Sequence, residues 1–152
     1  MLSQKLRLFS ATVAFITLSG CATNVNIREY FPAVSTAASI NYEALYLRGI
    51  FNWWEAEPAY KVISGTDGFY VDVKLIADGQ PYDFRFADSN YTSELNCGAD
   101  TPDRPLAQDE KLDLVCVSGS HNLQFIPEET GTYRFKLLSL GKPTLVITRI
   151  DS

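Results

Sequence analysis

The chain has 152 residues, of which 46% are hydrophobic and 20% charged. That is enough for one domain around a single core, too little for two ordinary ones, and too apolar for a disordered chain. Eighteen acidic against 13 basic residues give a formal net charge of −5, and the sequence carries no basic stripe, which argues against a nucleic-acid partner.

Lys5 and Arg7 open the chain with positive charge and are followed by an apolar run, Leu8 to Leu18. The run has the length of a signal peptide and is too short to span a bilayer as a mature helix. It ends in Leu18-Ser19-Gly20-Cys21, which resembles a bacterial lipobox. The resemblance implies cleavage of residues 1–20 and acylation of Cys21 on its thiol and its new amino group. The protein would then be held on a membrane by its N-terminal lipid. Ala22 after the cysteine, rather than an aspartate, favours the outer membrane, on its periplasmic or surface side. Loss of Lys5 and Arg7 would leave 11 basic against 18 acidic residues, a net charge of −7. Residues 21–40 read as the lipidated cysteine and a tether, small and polar without a clear period. Residues 41–152 read as the folded domain.

From residue 41 onward, short alternating runs are separated by turn signals, and no sustained 3.6-residue period appears. Glu43 to Arg48 sets Leu45 and Leu47 against Tyr46 and Arg48. Ala59 to Ser64 is a second run, ending at the turn Gly65-Thr66-Asp67-Gly68. Phe69 to Leu75 alternates Phe69, Val71, Val73 and Leu75 with Tyr70, Asp72 and Lys74. After Asp78-Gly79, Tyr82, Phe84 and Phe86 alternate with Asp83 and Arg85, and only a strand places those aromatics on one face. Ser89 to Glu110 reads as a long polar loop. Lys111 to Ser118 and Asn122 to Ile126 are further strands. Thr132 to Leu138 follows with Tyr133, Phe135 and Leu137 inward, then Thr144 to Ile150 behind Pro143, a position proline tolerates. Seven or eight strands at this spacing predict an all-β fold, an immunoglobulin-like antiparallel β-sandwich. Once Cys21 is acylated, Cys97 and Cys116 remain, and in an oxidising envelope they predict one disulfide.

The chemistry-bearing motifs point away from catalysis. His121 is the only histidine and stands in a turn near Gly119. No nucleophile elbow, phosphate-binding glycine loop or metal-spaced cluster accompanies it. No metal and no cofactor is expected, and the acids between Asp100 and Asp113 read as a solvated loop. Trp53 and Trp54 follow a strand and a glycine, which puts them on a loop. Aromatic faces on a rigid platform hold sugar rings by apolar contact. By burial statistics one of the two is expected to be buried in the core.

The run Leu45-Tyr46-Leu47-Arg48-Gly49-Ile50-Phe51-Asn52-Trp53-Trp54 resembles the start of the glycogen- and starch-binding E-set modules. In those modules a strand ends in Gly-x-Phe-Asn-x-Trp. The likeness continues through Gly68-Phe69-Tyr70-Val71, Tyr82-Asp83-Phe84-Arg85-Phe86-Ala87-Asp88, Tyr91 and Asn96-Cys97-Gly98. It ends on Asn122-Leu123-Gln124-Phe125 and Gly131-Thr132-Tyr133, so it covers nearly the whole domain. The resemblance implies a carbohydrate-binding module of the kind attached to pullulanases, branching enzymes and some α-amylases, with an α-glucan as ligand. It places Trp54 at a first sugar-stacking position with Trp53 beside it, and Tyr91 at the second. Arg85 stands where the family has a lysine that donates to sugar hydroxyls, and Asn96 lies near a polar contact. Trp53 departs from the family's small polar residue, and the cysteine pair is not a family hallmark. The leading expectation is therefore a lipid-anchored, non-enzymatic glycan-binding lipoprotein of the envelope. Its rival is the same sandwich docking an envelope protein partner. A small glycosidase or lipid-processing enzyme is a third reading.

Overall fold

The computed structural model describes residues 39–139 and 141–150. The signal segment 1–20, Cys21 and the tether before residue 39 lie outside the described residues.

Eleven strands form two sheets among the described residues. In chain order they are β1 (Tyr46–Gly49), β2 (Ile63–Gly65), β3 (Gly68–Leu75), β4 (Tyr82–Ala87), β5 (Asn96–Gly98) and β6 (Arg104–Leu106). They continue with β7 (Lys111–Asp113), β8 (Val115–Cys116), β9 (Leu123–Phe125), β10 (Gly131–Leu138) and β11 (Thr144–Arg149). One sheet is built on β4, which pairs with β1 along one edge. On its other edge β4 pairs with β9 through Tyr82–Phe84 and with β5 through Phe86 and Ala87. Strand β6 flanks β9 and β8 flanks β5. The second sheet runs β2-β3-β10-β11-β7. The expected all-β sandwich is what the chain forms.

Alternation decides which faces meet. Val71, Val73 and Leu75 on β3 and Tyr133, Phe135 and Leu137 on β10 are buried or nearly so, and they point across to Phe84, Phe86, Leu123 and Phe125 of the first sheet. Edge-to-face aromatic pairs link the two sheets: Phe84 with Phe135 at 5.1 Å and Phe125 with Tyr133 at 5.2 Å. Such pairs contribute roughly 0.5–1.5 kcal/mol beyond the area they bury. The Tyr133 hydroxyl, entering the core at the start of β10, donates to the Glu129 carbonyl four residues upstream at 2.6 Å. This is the tyrosine-corner arrangement of immunoglobulin-like sandwiches.

Several strand boundaries differ from the alternation reading. Glu43 and Ala44 belong to a 3-10 turn before β1, and Ala59 and Tyr60 to another before β2. The supposed loop from Ser89 to Glu110 contains β5 and β6, strands too short to show a period. Strand β6 runs parallel to β9, so the sandwich is not wholly antiparallel. Lys111 to Ser118 is two strands rather than one. The chain crosses from the second sheet to the first at the buried Leu114, whose amide donates to the Pro143 carbonyl at 2.7 Å.

Cys97 and Cys116 form the expected disulfide, which sits across directly paired positions of β5 and β8. The bond therefore staples two neighbouring strands of one sheet. Next to it, Gly98 is required by close approach, since a Cβ there would lie 2.1 Å from the His121 carbonyl oxygen. That contact is part of the Ala99–His121 bridge, which carries the pairing past the end of β5. Closing 19 residues of chain is worth roughly 3 kcal/mol in the loop-entropy picture. Cys97→Ser with Cys116→Ser should lower the unfolding free energy by about that amount in urea titrations, with the folded-state circular dichroism unchanged.

Candidate functional site

The segment after β1 explains the Gly-x-Phe-Asn run in physical terms. Asn52 is buried and brackets the turn: its side-chain amide donates to the Leu47 carbonyl and its Oδ1 accepts from the Gly49 amide, both at 2.9 Å. Gly49 lies so close to β4 and to Phe51 that any Cβ would meet the Asp83 carbonyl oxygen at 2.6 Å. Phe51 stacks on Tyr60 and fixes the turn to the sandwich. The bracket leaves Trp53 and Trp54 in the left-handed region, with φ of 53° and 63°. The Trp54 amide closes the turn on the Gly49 carbonyl at 2.9 Å.

A second loop, between β4 and β5, is folded by Asp88. Its carboxylate accepts from the Thr92 amide at 2.8 Å and from the Thr92 hydroxyl at 2.6 Å. Tyr91 is thereby held at φ 55°. Burial opposes ionisation of Asp88, but the Thr92 hydroxyl and amide, the Asn90 amide and the nearby Arg48 charge outweigh it, and the carboxyl sits below its usual range.

Arg48 joins the two loops. It is 6% exposed, and its Nε donates to the Trp54 carbonyl at 2.6 Å, while Nη1 donates to the Asp88 carbonyl at 2.8 Å. Its guanidinium carbon lies 3.9 Å from the centre of the Tyr91 ring. The Tyr91 hydroxyl then donates to the same Trp54 carbonyl at 3.3 Å. The structure thus brings Trp54 and Tyr91 together. Trp53 is 84% exposed beside them, Trp54 half-buried and Tyr91 39% exposed, so neither tryptophan belongs to the core. Five non-glycine residues take positive φ among the described residues, and three of them are Trp53, Trp54 and Tyr91. Strained backbone of this kind, costing on the order of 1–3 kcal/mol per residue, persists where the surroundings over-determine it and clusters at binding sites.

Arg85, the cross-strand partner of Arg48, occupies the fork where β5 and β9 separate. Its guanidinium donates to Asn96 Oδ1 and Asn122 Oδ1 at 2.8 Å and to the Ser120 carbonyl at 2.6 Å. Burial pulls it below its ordinary value, with Tyr91 acting the other way. Asn96 is buried against Arg85 with its Oδ1 committed to it, and Asn122 is the exposed amide at the same point. Arg48 and Asn122 were not selected as site residues from sequence. Arg48 reads there as an outward strand position, and nothing local shows which carbonyls it will reach.

Beside Arg85 lies a pocket of about 190 Å³ lined by Asp83, Pro102, Asp103, His121, Asn122 and Gln124. Among the described residues no group of three or more His, Cys, Asp or Glu side chains is placed to hold a metal ion, and no helix is long and apolar enough to cross a membrane.

The fold is similar to that of AmyP-SBD, a starch-binding domain whose solved structure is described as "Ligand induced structure of AmyP-SBD". The TM-score is 0.54 at 13% sequence identity, and the match covers 93% of this chain and 97% of that one. At that identity the likeness is one of fold. No family model and no curated protein matches the chain.

The depressed Asp88 carboxyl stabilises the fold above the unfolded value of about 3.9 and loses that contribution as pH falls through its lower folded value. Asp88→Asn should therefore destabilise the protein at pH 7. In urea titrations at stepped pH, the gap from wild type should close below about pH 4.

Proposed function

We propose that the protein is a lipid-anchored, non-enzymatic component of the bacterial cell envelope, held at the outer membrane, whose β-sandwich binds a glycan of the α-glucan class. The observation that carries the reading is the aromatic surface organised by Arg48. Trp53, Trp54 and Tyr91 stand together on strained, hydrogen-bonded loops, with the guanidinium of Arg85 and the amide of Asn122 alongside. Pyranose rings offer apolar C–H faces for such rings and hydroxyls for the polar groups around them. Trp54 and Tyr91 supply the stacking, Trp53 extends the surface, Arg85 orients hydroxyls, and Asn96 holds Arg85 in place. The sandwich shared with a starch-binding domain supports the reading at the level of fold. The lipobox-like Leu18-Ser19-Gly20-Cys21 supports the anchor.

The second reading, an envelope protein as partner, draws on Ile50, 44% exposed within the same turn as Trp53. Tryptophan, tyrosine and arginine also dominate protein–protein hot spots. Hydrogen-bonding groups around the aromatic rings favour the glycan.

Native affinity electrophoresis through gels containing glycogen, starch or pullulan separates the two. The wild-type protein should be retarded. Trp54→Ala and Tyr91→Ala should each remove most of that retardation, since a stacking contact is worth about 1 kcal/mol or more, with circular dichroism confirming the fold. Unchanged mobility in every polysaccharide would contradict the glycan reading and send the search to cross-linking for a protein partner.

A further inference from the structure

The pocket next to Arg85 is not accounted for by stacking on Trp54 and Tyr91. Its floor is the outer face of the β4–β9 pair. Asp83 and Gln124 are direct cross-strand partners, and Asn122 precedes Gln124 by two residues on the same face. Asp103, at φ 51°, and Pro102 form one wall, and the exposed His121 forms another. Asp83 Oδ1 is shielded from solvent and has no hydrogen-bond partner. A carboxylate oxygen that has lost water and gained no donor carries a desolvation cost, which leaves the other oxygen of Asp83 as the one a ligand donor can meet.

We propose that this pocket is a second subsite of the same surface, which takes the hydroxyl groups of a neutral sugar unit further along the chain stacked on Trp54 and Tyr91. The inference rests on the glycan reading above. The chemistry of the lining sets the ligand class. Asp83 and Asp103 accept only, and the Asn122 and Gln124 amides both donate and accept, as the two-way pattern of sugar hydroxyls requires. Two carboxylates in the lining repel an acidic or phosphorylated glycan. Geometry makes the pocket continuous with the aromatic surface. Asp83 lies two residues from Arg85 along β4, about 7 Å. Arg85 faces Arg48 across the β1–β4 pair, and the Arg48 guanidinium lies against Tyr91. Arg85 itself bridges the two regions through its bond to Asn122. A linear glucan of a few units laid across this face reaches from the stack to the pocket. The Asp83 carboxylate, through its Oδ2, then accepts a hydroxyl from the ligand, and Gln124 holds a neighbouring one.

The test is a calorimetric titration of the full chain, in a detergent without a sugar headgroup, against α-1,4-linked glucose oligomers of increasing length. Wild-type affinity should rise with length by about tenfold once the chain spans both regions, the worth of one or two hydroxyl contacts. Asp83→Ala and, as a variant on the short, partly exposed β9, Gln124→Ala should flatten that rise while leaving binding of the shortest oligomers unchanged. Trp54→Ala should weaken every length alike. If both pocket variants keep the wild-type length dependence, the subsite is overturned and the aromatic surface stands. If wild type binds no oligomer of any length, the glycan reading fails and the subsite fails with it.

Discussion

The surface on which the account depends is organised by one buried charge. Arg48 is almost wholly enclosed, which in isolation would be expensive. The cost is offset by the negative ends of dipoles and the charge it meets: the Trp54 and Asp88 carbonyls, the Tyr91 ring, and the nearby Asp88 carboxylate. A lysine would bring one point of charge, whereas the planar fork of arginine bonds two loops and stacks on a ring at once. Without that fork, the turn carrying Trp53 and Trp54 would be tied to the turn carrying Tyr91 by the Tyr91–Trp54 hydrogen bond alone among the described residues.

The sandwich supplies the rigid half of the arrangement. Strand β4 has the Phe84 and Phe86 side chains in the core and Asp83 and Arg85 outside, so packing of one face fixes the positions of the other. Because β9 and β5 divide the same edge of β4 between them, a fork opens opposite Arg85, and its guanidinium fills it. The disulfide and the Ala99–His121 bridge close the chain around that fork. On the outer face of the second sheet the charges are differently disposed. Arg134 is paired with Asp72 while stacking on Tyr70, and Lys136 is paired with Asp67, so these two cations are committed within their own face.

Long, regular strands were legible in the sequence because alternation with period two is strong in Phe69–Leu75, Tyr82–Phe86 and Thr132–Leu138, and each became a strand with the expected inward face. The disulfide was legible from a count of cysteines and the oxidising compartment that the lipobox-like segment led one to expect. Strands of two or three residues were not, since β5, β6 and β8 are too short for a period and are held by their neighbours rather than by their own pattern. The sheet switch at Leu114 was invisible for the same reason. In the candidate site, the loop position of Trp53 and Trp54 followed from the preceding strand and glycine. The role of Arg48 did not, because it depends on carbonyls 6 and 40 residues away in the chain. The expectation that one tryptophan would be core fails because the Asn52 bracket turns both outward or sideways into left-handed backbone.

The most direct test of the central claim is amide chemical-shift mapping of the protein titrated with a linear α-1,4-glucose oligomer long enough to cross the first sheet. The account predicts saturable shifts concentrated at Trp53, Trp54 and Tyr91, extending through Arg48 and Arg85 to Asn122, with the Trp54 indole signal among the largest. An absence of shifts, or shifts confined to the opposite face around Tyr70, Arg134 and Lys136, would contradict it.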